Sequence, residues 1–211
     1  MSHPATPQPP DAGRPHDKPA AVPVDPPTAR FLEERTFRAR TVLVFGEIDA
    51  ALAANATRQI LALAAESDAP IHVYVSSPGG HLESGDVIHD VVGFVTAPVT
   101  MIGTGWVGSA ACHLYLGVPR QRRLCLPNTR FLIHQPSGGA GGRAADIAIQ
   151  AGEIVKARQR IAQAIARATG RTLPDVLQDI DRDRWMSAEE AIDYGLASRI
   201  VGSAKDLAGA A

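Results

Sequence analysis

The chain has 211 residues, 45% of them hydrophobic, with 21 basic and 22 acidic side chains and a formal net charge of -1. That length and apolar content suit one domain with a full core, and the evenly mixed charges exclude the basic face that nucleic-acid binding needs. No run approaches the roughly 18 apolar residues of a membrane helix, the start MSHPATPQPP lacks the basic and apolar regions of a signal peptide, and only Cys112 and Cys125 are present, so a cytoplasmic protein away from membranes is expected.

Residues 1–27 hold nine of the 16 prolines and almost no large apolar side chain. Such a segment buries too little surface to offset its ordering entropy. It reads as a disordered or polyproline-like tail, or as a cleaved propeptide, with the globular pattern beginning at Phe31. TVLVFG (41–46) is a short apolar run closed by glycine, as in a buried strand. Asp49 is placed to cap the helical stretch that follows to Glu66, with Leu52, Ile60, Leu61 and Leu63 on or near one side. IHVYVSS (71–77) is a second strand, broken by Pro78-Gly79-Gly80. LESGDVIHDVVGFV (82–95) has helical spacing, and VTMIG (99–103) is a third strand. A glycine-rich turn is expected next, then a short helix from Ser109.

RRLCL and TRFLIH read as strands with a turn at Pro127-Asn128. SGGAGG (137–142) precedes a long helix over about 143–169, closed by Gly170. Ile147, Ile154, Ile161 and Ile165 recur along it at helical spacings. Pro174 suits the first turn of another short helix, Ser187 and Glu190 form a capping box for a last one ended by Gly195, and LASRIV closes the chain's strands. Strand-helix-strand order implies an α/β fold of parallel strands covered by helices.

Several residues carry chemistry. Ser109 follows Gly103, Gly105 and Gly108 at a strand-to-helix turn, where helix N–H groups favour an oxyanion. VGSAA departs from G-x-S-x-G, and a serine at such a turn is often only a cap. His134 ends a strand just before Gln135-Pro136, a position that suits a general base. None of the six other histidines sits at a comparable junction, and His81, His89 and Glu83 fit no zinc spacing, so no metal is expected. Asp179, Asp181 and Asp183 alternate in a charged stretch, and spacing alone does not choose which of them orients an imidazole. Ser77-Pro78-Gly79-Gly80 lets a backbone N–H point outward beside a reacting carbonyl.

Taken together, FLEER (31–35), GEID (46–49), SSPGGHLESGDVIHD (76–90), LPNTRFLIHQPSGGAGGRAADI (126–147) and DRDRWMSAEEAIDYGL (181–196) resemble the Clp protease proteolytic subunit, a family of serine peptidases. The resemblance runs from about Phe31 to Val201. It implies a crotonase-like α/β fold with a protruding handle helix, over a peptidase domain at 31–203 between a tail at 1–30 and a flexible terminus at 204–211. It puts the nucleophile on Ser109, the base on His134 and the carboxylate on Asp183, with oxyanion donors at the N–H groups of Gly80 and Ala110. It implies a substrate bound as an added strand between His81-Leu82 and Pro136-Ser137-Gly138. No cofactor is implied. The partners implied are further copies of the chain, in stacked heptameric rings forming a tetradecamer, and an unfoldase of the AAA+ class that feeds unfolded proteins and peptides to the chamber, docked directly or through a paralogue in a mixed ring.

Departures from the family pattern bear on specificity and partners. Gly108-Ser109-Ala110-Ala111-Cys112 replaces the usual A-S-M-G-A. The small Ala110 should widen the pocket beside Ser109, which bulky Trp106 would refill, and apolar P1 side chains are expected. His72 and Leu124 stand where the family often has docking-groove aromatics, while Tyr74 and Phe94 remain. Two other readings share parts of this pattern: a catalytically silent ring subunit, and a crotonase-type acyl-CoA enzyme.

Overall fold

Alternation of short apolar runs with helical segments builds a seven-stranded sheet covered by helices. The computed structural model describes residues 25–139 and 141–209. Helix α1 (Pro26–Arg38) precedes strand β1 (Thr41–Phe45), helix α2 (Ala50–Glu66) and strand β2 (Ile71–Ser77). Then come α3 (Leu82–Phe94), β3 (Val99–Gly108), α4 (Ala110–Tyr115), β4 (Arg123–Cys125) and β5 (Arg130–Ile133). The chain continues through α5 (Ala144–Thr169), α6 (Leu173–Asp179), β6 (Arg184–Met186), α7 (Ala188–Tyr194) and β7 (Arg199–Ile200).

The order is β1-β2-β3-β4-β7, with β5 paired to β3 and β6 paired to β5. Every pairing is parallel except β5–β6, as α-helical crossovers require. Val42, Val44, Val73, Val75, Met101 and Phe131 are wholly buried beneath Ile60, Leu63 and Ile88 of the covering helices. Ile102, Leu124 and Val201 form a smaller core, against which Leu207 packs.

Strand β3 decides where the site forms. The expected strand stopped at Gly103, yet β3 runs on to Gly108. Its first part pairs with β4 (Met101↔Arg123 to Gly103↔Cys125) and its second with β5 (Trp106↔Arg130 to Gly108↔Leu132). The change of neighbour falls at Gly105, whose φ of +60° bends the strand, and the glycines that signal a turn in sequence mark this fork instead. Buried Thr129 closes the fork by donating to the Gly103 carbonyl at 2.9 Å.

Other expectations also change. Residues 25–30, read as tail, begin α1, because Pro26 and Pro27 fit a first helical turn whose N–H groups lack acceptors, and Asp25 caps it by accepting from Thr28 N. The expected tail over 1–24 lies outside the described residues. At the other end, within the expected flexible terminus, 204–209 form a 3₁₀ turn, and 210–211 lie outside the described residues. Leu61 faces solvent at 44% exposure, whereas Ile60 and Leu63 are buried. Leu124 has no exposed surface to offer a partner, being held between β3 and β7.

Helix α5 matches the expected long helix. Its last turns bury Ile161, Ala162 and Ile165 in the core, while Ile149 and Val155 toward its N-terminal end are each 66% exposed. Gly170 ends it in the left-handed conformation, as expected. Among the described residues, no helix is long and apolar enough to cross a membrane.

Candidate active site

Ladder register assembles the site. The β3–β5 pairing sets Gly108 beside Leu132, and the next N–H, that of Ser109, donates to the Leu132 carbonyl at 2.9 Å. Ser109 has φ +55° and ψ −122°, a conformation costly for a residue with a side chain, by roughly 1–3 kcal/mol. It is the N-cap of α4 but makes no side-chain cap hydrogen bond, which leaves Oγ available. The cap role often played by serine is therefore not the one seen.

The β5–β6 pairing is antiparallel and sets Ile133 opposite Arg184. The next rung places His134 opposite Asp183. His134 Nδ1 lies 2.9 Å from Asp183 Oδ1, and His134 Nε2 lies 2.8 Å from Ser109 Oγ. With a carboxylate on Nδ1, the ring donates from Nδ1 and presents Nε2 as acceptor to the hydroxyl. Two bonds of Gln135 tie this corner down, from its N to the Ile180 carbonyl at 2.7 Å and from Nε2 to the Asp181 carbonyl at 3.0 Å. The other two aspartates have partners of their own. Asp179 is engaged by Arg184 and by the Tyr194 hydroxyl, and Asp181 faces Arg158 and Arg182. Burial and the Asp179 hydrogen bond push the Tyr194 phenol above its ordinary range.

The Ser77–Gly80 turn presses against the nucleophile's backbone. A Cβ on Gly79 would lie 2.6 Å from the Ser109 Cβ, and one on Gly80 would lie 2.3 Å from the Ile48 carbonyl oxygen. Both have positive φ, at +104° and +149°. The bridge between Ile48 and Gly80 uses the Gly79 carbonyl and the His81 N–H, and leaves the Gly80 N–H out of the pairing. Ala110 opens α4, and first-turn N–H groups have no acceptor within their helix. The Gly80 and Ala110 N–H groups are thus left out of the bridge and the helix ladder, and both residues border the same cavity as Ser109.

A cavity of about 330 Å³ opens beside Ser109 and His134. Gly80, His81, Leu82, Ala110, Pro136 and Ser137 line it, whereas Asp183 and Gly138 do not. His81 is a surface residue, its ring nitrogens 3.1 Å from Ser84 Oγ and 3.3 Å from a Glu83 carboxylate oxygen. Trp106 does not refill the cavity. It lies outside it, stacked on Trp185 with centroids 5.7 Å apart. Cys112 sits near Ser109, but burial pushes its thiol up to about 12, so it is no rival nucleophile at neutral pH.

Several cavity residues, among them His113, Lys156 and Arg160, are not marked as site residues by the sequence. His113 is buried on α4, one turn after Ser109, with no chain break or turn to mark it in the sequence. Its signal was the four-residue spacing from Ser109, which puts both on one side of a helix start. Among the described residues, no group of three or more His, Cys, Asp or Glu is arranged to hold a metal ion.

Comparison with known proteins follows the same lines. A family model described as Clp protease matches residues 28–204. The ATP-dependent Clp protease proteolytic subunit 3 of Rhizobium etli is 54% identical over 181 residues, covering 86% of this chain and 93% of the relative. Proteolytic subunit 2 of Gluconobacter oxydans is 55% identical over 178 residues, covering 83% and 80%. A solved ClpP1 mutant from Listeria monocytogenes has a TM-score of 0.78 at 42% identity, covering 83% of this chain and 99% of that one. The α/β fold that the sequence resemblance implied is the fold of that structure. By sequence and by structure, the chain belongs to the Clp protease family.

Proposed function

We propose that this chain is a serine endopeptidase, the proteolytic subunit of an ATP-dependent Clp-type protease, with Ser109 as nucleophile, His134 as general base and Asp183 as the orienting carboxylate. The observation that carries this reading is the continuous chain from Ser109 Oγ through His134 to Asp183, at 2.8 and 2.9 Å. Asp183 fixes the tautomer, so His134 Nε2 takes the hydroxyl proton as Oγ attacks the peptide carbonyl. Gly80 and Ala110 N–H groups receive the developing oxyanion. The imidazolium then gives its proton to the leaving amine, and a water repeats the sequence on the acyl-enzyme.

The substrate is held as an added strand between His81-Leu82, where extended His81 leads into α3, and Pro136-Ser137-Gly138 after His134. The exposed Ile149 and Val155 of α5 support a contact with a further copy of the chain, closing rings around a chamber. Phe94, 80% exposed, and half-buried Tyr74 support docking of an unfoldase near the α3 end of the sheet. An acyl-CoA enzyme would share the backbone oxyanion site but has no use for the Ser109–His134–Asp183 chain. Hydrolysis of fluorogenic peptides tests the reading: wild-type protein should cut them without ATP, and Ser109→Ala should lose on the order of 10⁶ in kcat. Equal rates from the two would overturn it, and a silent wild type would favour the scaffold role beside an active paralogue.

A further inference from the structure

A second polar chain runs along the cavity beside Ser109 and takes no part in the proposed chemistry. His113 on α4 is 6% exposed, and its Nε2 lies 2.8 Å from Asp86 Oδ1 on α3. Arg160 of α5 donates through Nη2 to Asp86 Oδ2 at 2.7 Å. His89 stacks flat on His113, centroids 4.5 Å apart. Burial, and then the neighbouring His89, hold the His113 imidazole down at about 4, so the ring is neutral at neutral pH and donates its Nε2 proton to the carboxylate. Both Asp86 oxygens are engaged, and the guanidinium is held by a fixed partner. Among the described residues only one of the five Arg160 N–H donors finds an acceptor.

His113 and Arg160 both line the cavity, beside Ala110, Ile154, Ala157 and Ile161. Lys156, Glu83 and Glu153 line it too, so its two cations are matched by two carboxylates. A hydrocarbon side chain filling this space would strip water from Arg160, whose side chain is 52% exposed, and replace none of its hydrogen bonds. Its cations are already compensated, Lys156 by Glu153 and Arg160 by Asp86, each at 2.7 Å, so an added carboxylate or ammonium would bring a charge that nothing in the cavity balances. An amide oxygen satisfies the guanidinium and adds no charge.

We propose that Arg160, anchored by the Asp86–His113 pair, makes this cavity select a P1 side chain that is long, uncharged and ended by a hydrogen-bond acceptor, of the glutamine type. The inference rests on the peptidase reading above and replaces the apolar preference expected from Ala110 alone. The apolar stem of such a side chain lies against Ile154, Ala157 and Ile161, and its amide reaches Arg160.

Peptides identical except at P1, carrying Gln, its near-isostere Met, Glu or Lys, test this on the full chain, with fluorophosphonate labelling of Ser109 measured alongside. The Gln peptide should exceed the Met peptide in kcat/KM by roughly tenfold, the worth of one hydrogen bond to a charged group. Arg160→Met should bring that ratio to about one, and Arg160→Lys, which keeps the charge beside Asp86 but loses the fork, should lower it in part. Met equal to or above Gln, Glu or Lys above Gln, or a ratio untouched by both variants would overturn the inference. Labelled Ser109 with any of these results overturns the selectivity alone, whereas unlabelled Ser109 with no peptide cut overturns the peptidase reading and the inference with it.

Discussion

His134 and Asp183 face each other one rung beyond the last paired residues of the β5–β6 ladder, and that rung sets their 2.9 Å contact. A slip of one residue in this register would turn the carboxylate to the other face of the sheet. The charged stretch around Asp183 is thus built by strand pairing rather than by the charges themselves.

Asp183→Asn should lower kcat by on the order of 10³–10⁴, because an amide no longer holds His134 in the required tautomer. Asp181→Asn should change it little, since among the described residues the Asp181 carboxylate pairs only with Arg158 and Arg182, on a surface that water screens, and its carbonyl bond to Gln135 is unaffected by the substitution. Steady-state peptide hydrolysis by the two variants checks this, and equal losses would contradict it.

The aspartates also show how far the sequence was legible. Three alternate in DIDRDRW, and their spacing does not distinguish a solvated loop from a catalytic carboxylate. The choice of Asp183 came from resemblance, and its physical basis is β6, only three residues long and too short to signal itself by alternation. Strands β1 and β2, helices α2 and α5, and the caps at Asp49, Ser187 and Gly170 were readable because period, cap chemistry and glycine punctuation act locally. The second half of β3 was not, since its glycines serve a change of strand neighbour, which is a tertiary event. His113, Asp86 and Arg160 lie on three different helices, so only the fold brings them together.

Gly80→Ala should cost activity by about 10² or more while peptide binding persists, because its Cβ would lie 2.3 Å from the Ile48 carbonyl oxygen and shift the donor N–H. Such a loss should appear in kcat rather than KM. A variant with wild-type kcat would mean that the Gly80 N–H plays no part in the chemistry.

Acid should weaken the fold through His113. Its folded value of about 4 lies below the ordinary 6.5, so between these the unfolded chain binds more protons than the folded one. The stabilisation is complete above about pH 6.5 and is lost as pH falls toward 4, with half-buried His72 adding in the same direction. Thermal melts across this range should show a falling Tm in wild type and a shallower slope in His113→Phe, which cannot titrate there. Identical slopes would contradict the assignment.

The exposed apolar positions of α5 should matter for assembly and not for the fold. Ile149→Glu, at a site 66% exposed, should leave the circular dichroism unchanged and break contacts between copies. Light scattering should find a particle of about fourteen subunits in wild type and a smaller one in the variant. An unchanged mass would mean that this face of α5 is not an interface.

The central claim is that Ser109 is activated by His134, and covalent labelling reads it most directly. A fluorophosphonate probe, followed by peptide mass spectrometry, should modify Ser109 and no other hydroxyl, and His134→Ala should abolish the labelling while the fold persists. Labelling at another residue, or labelling of Ser109 that is indifferent to the loss of His134, would contradict the account.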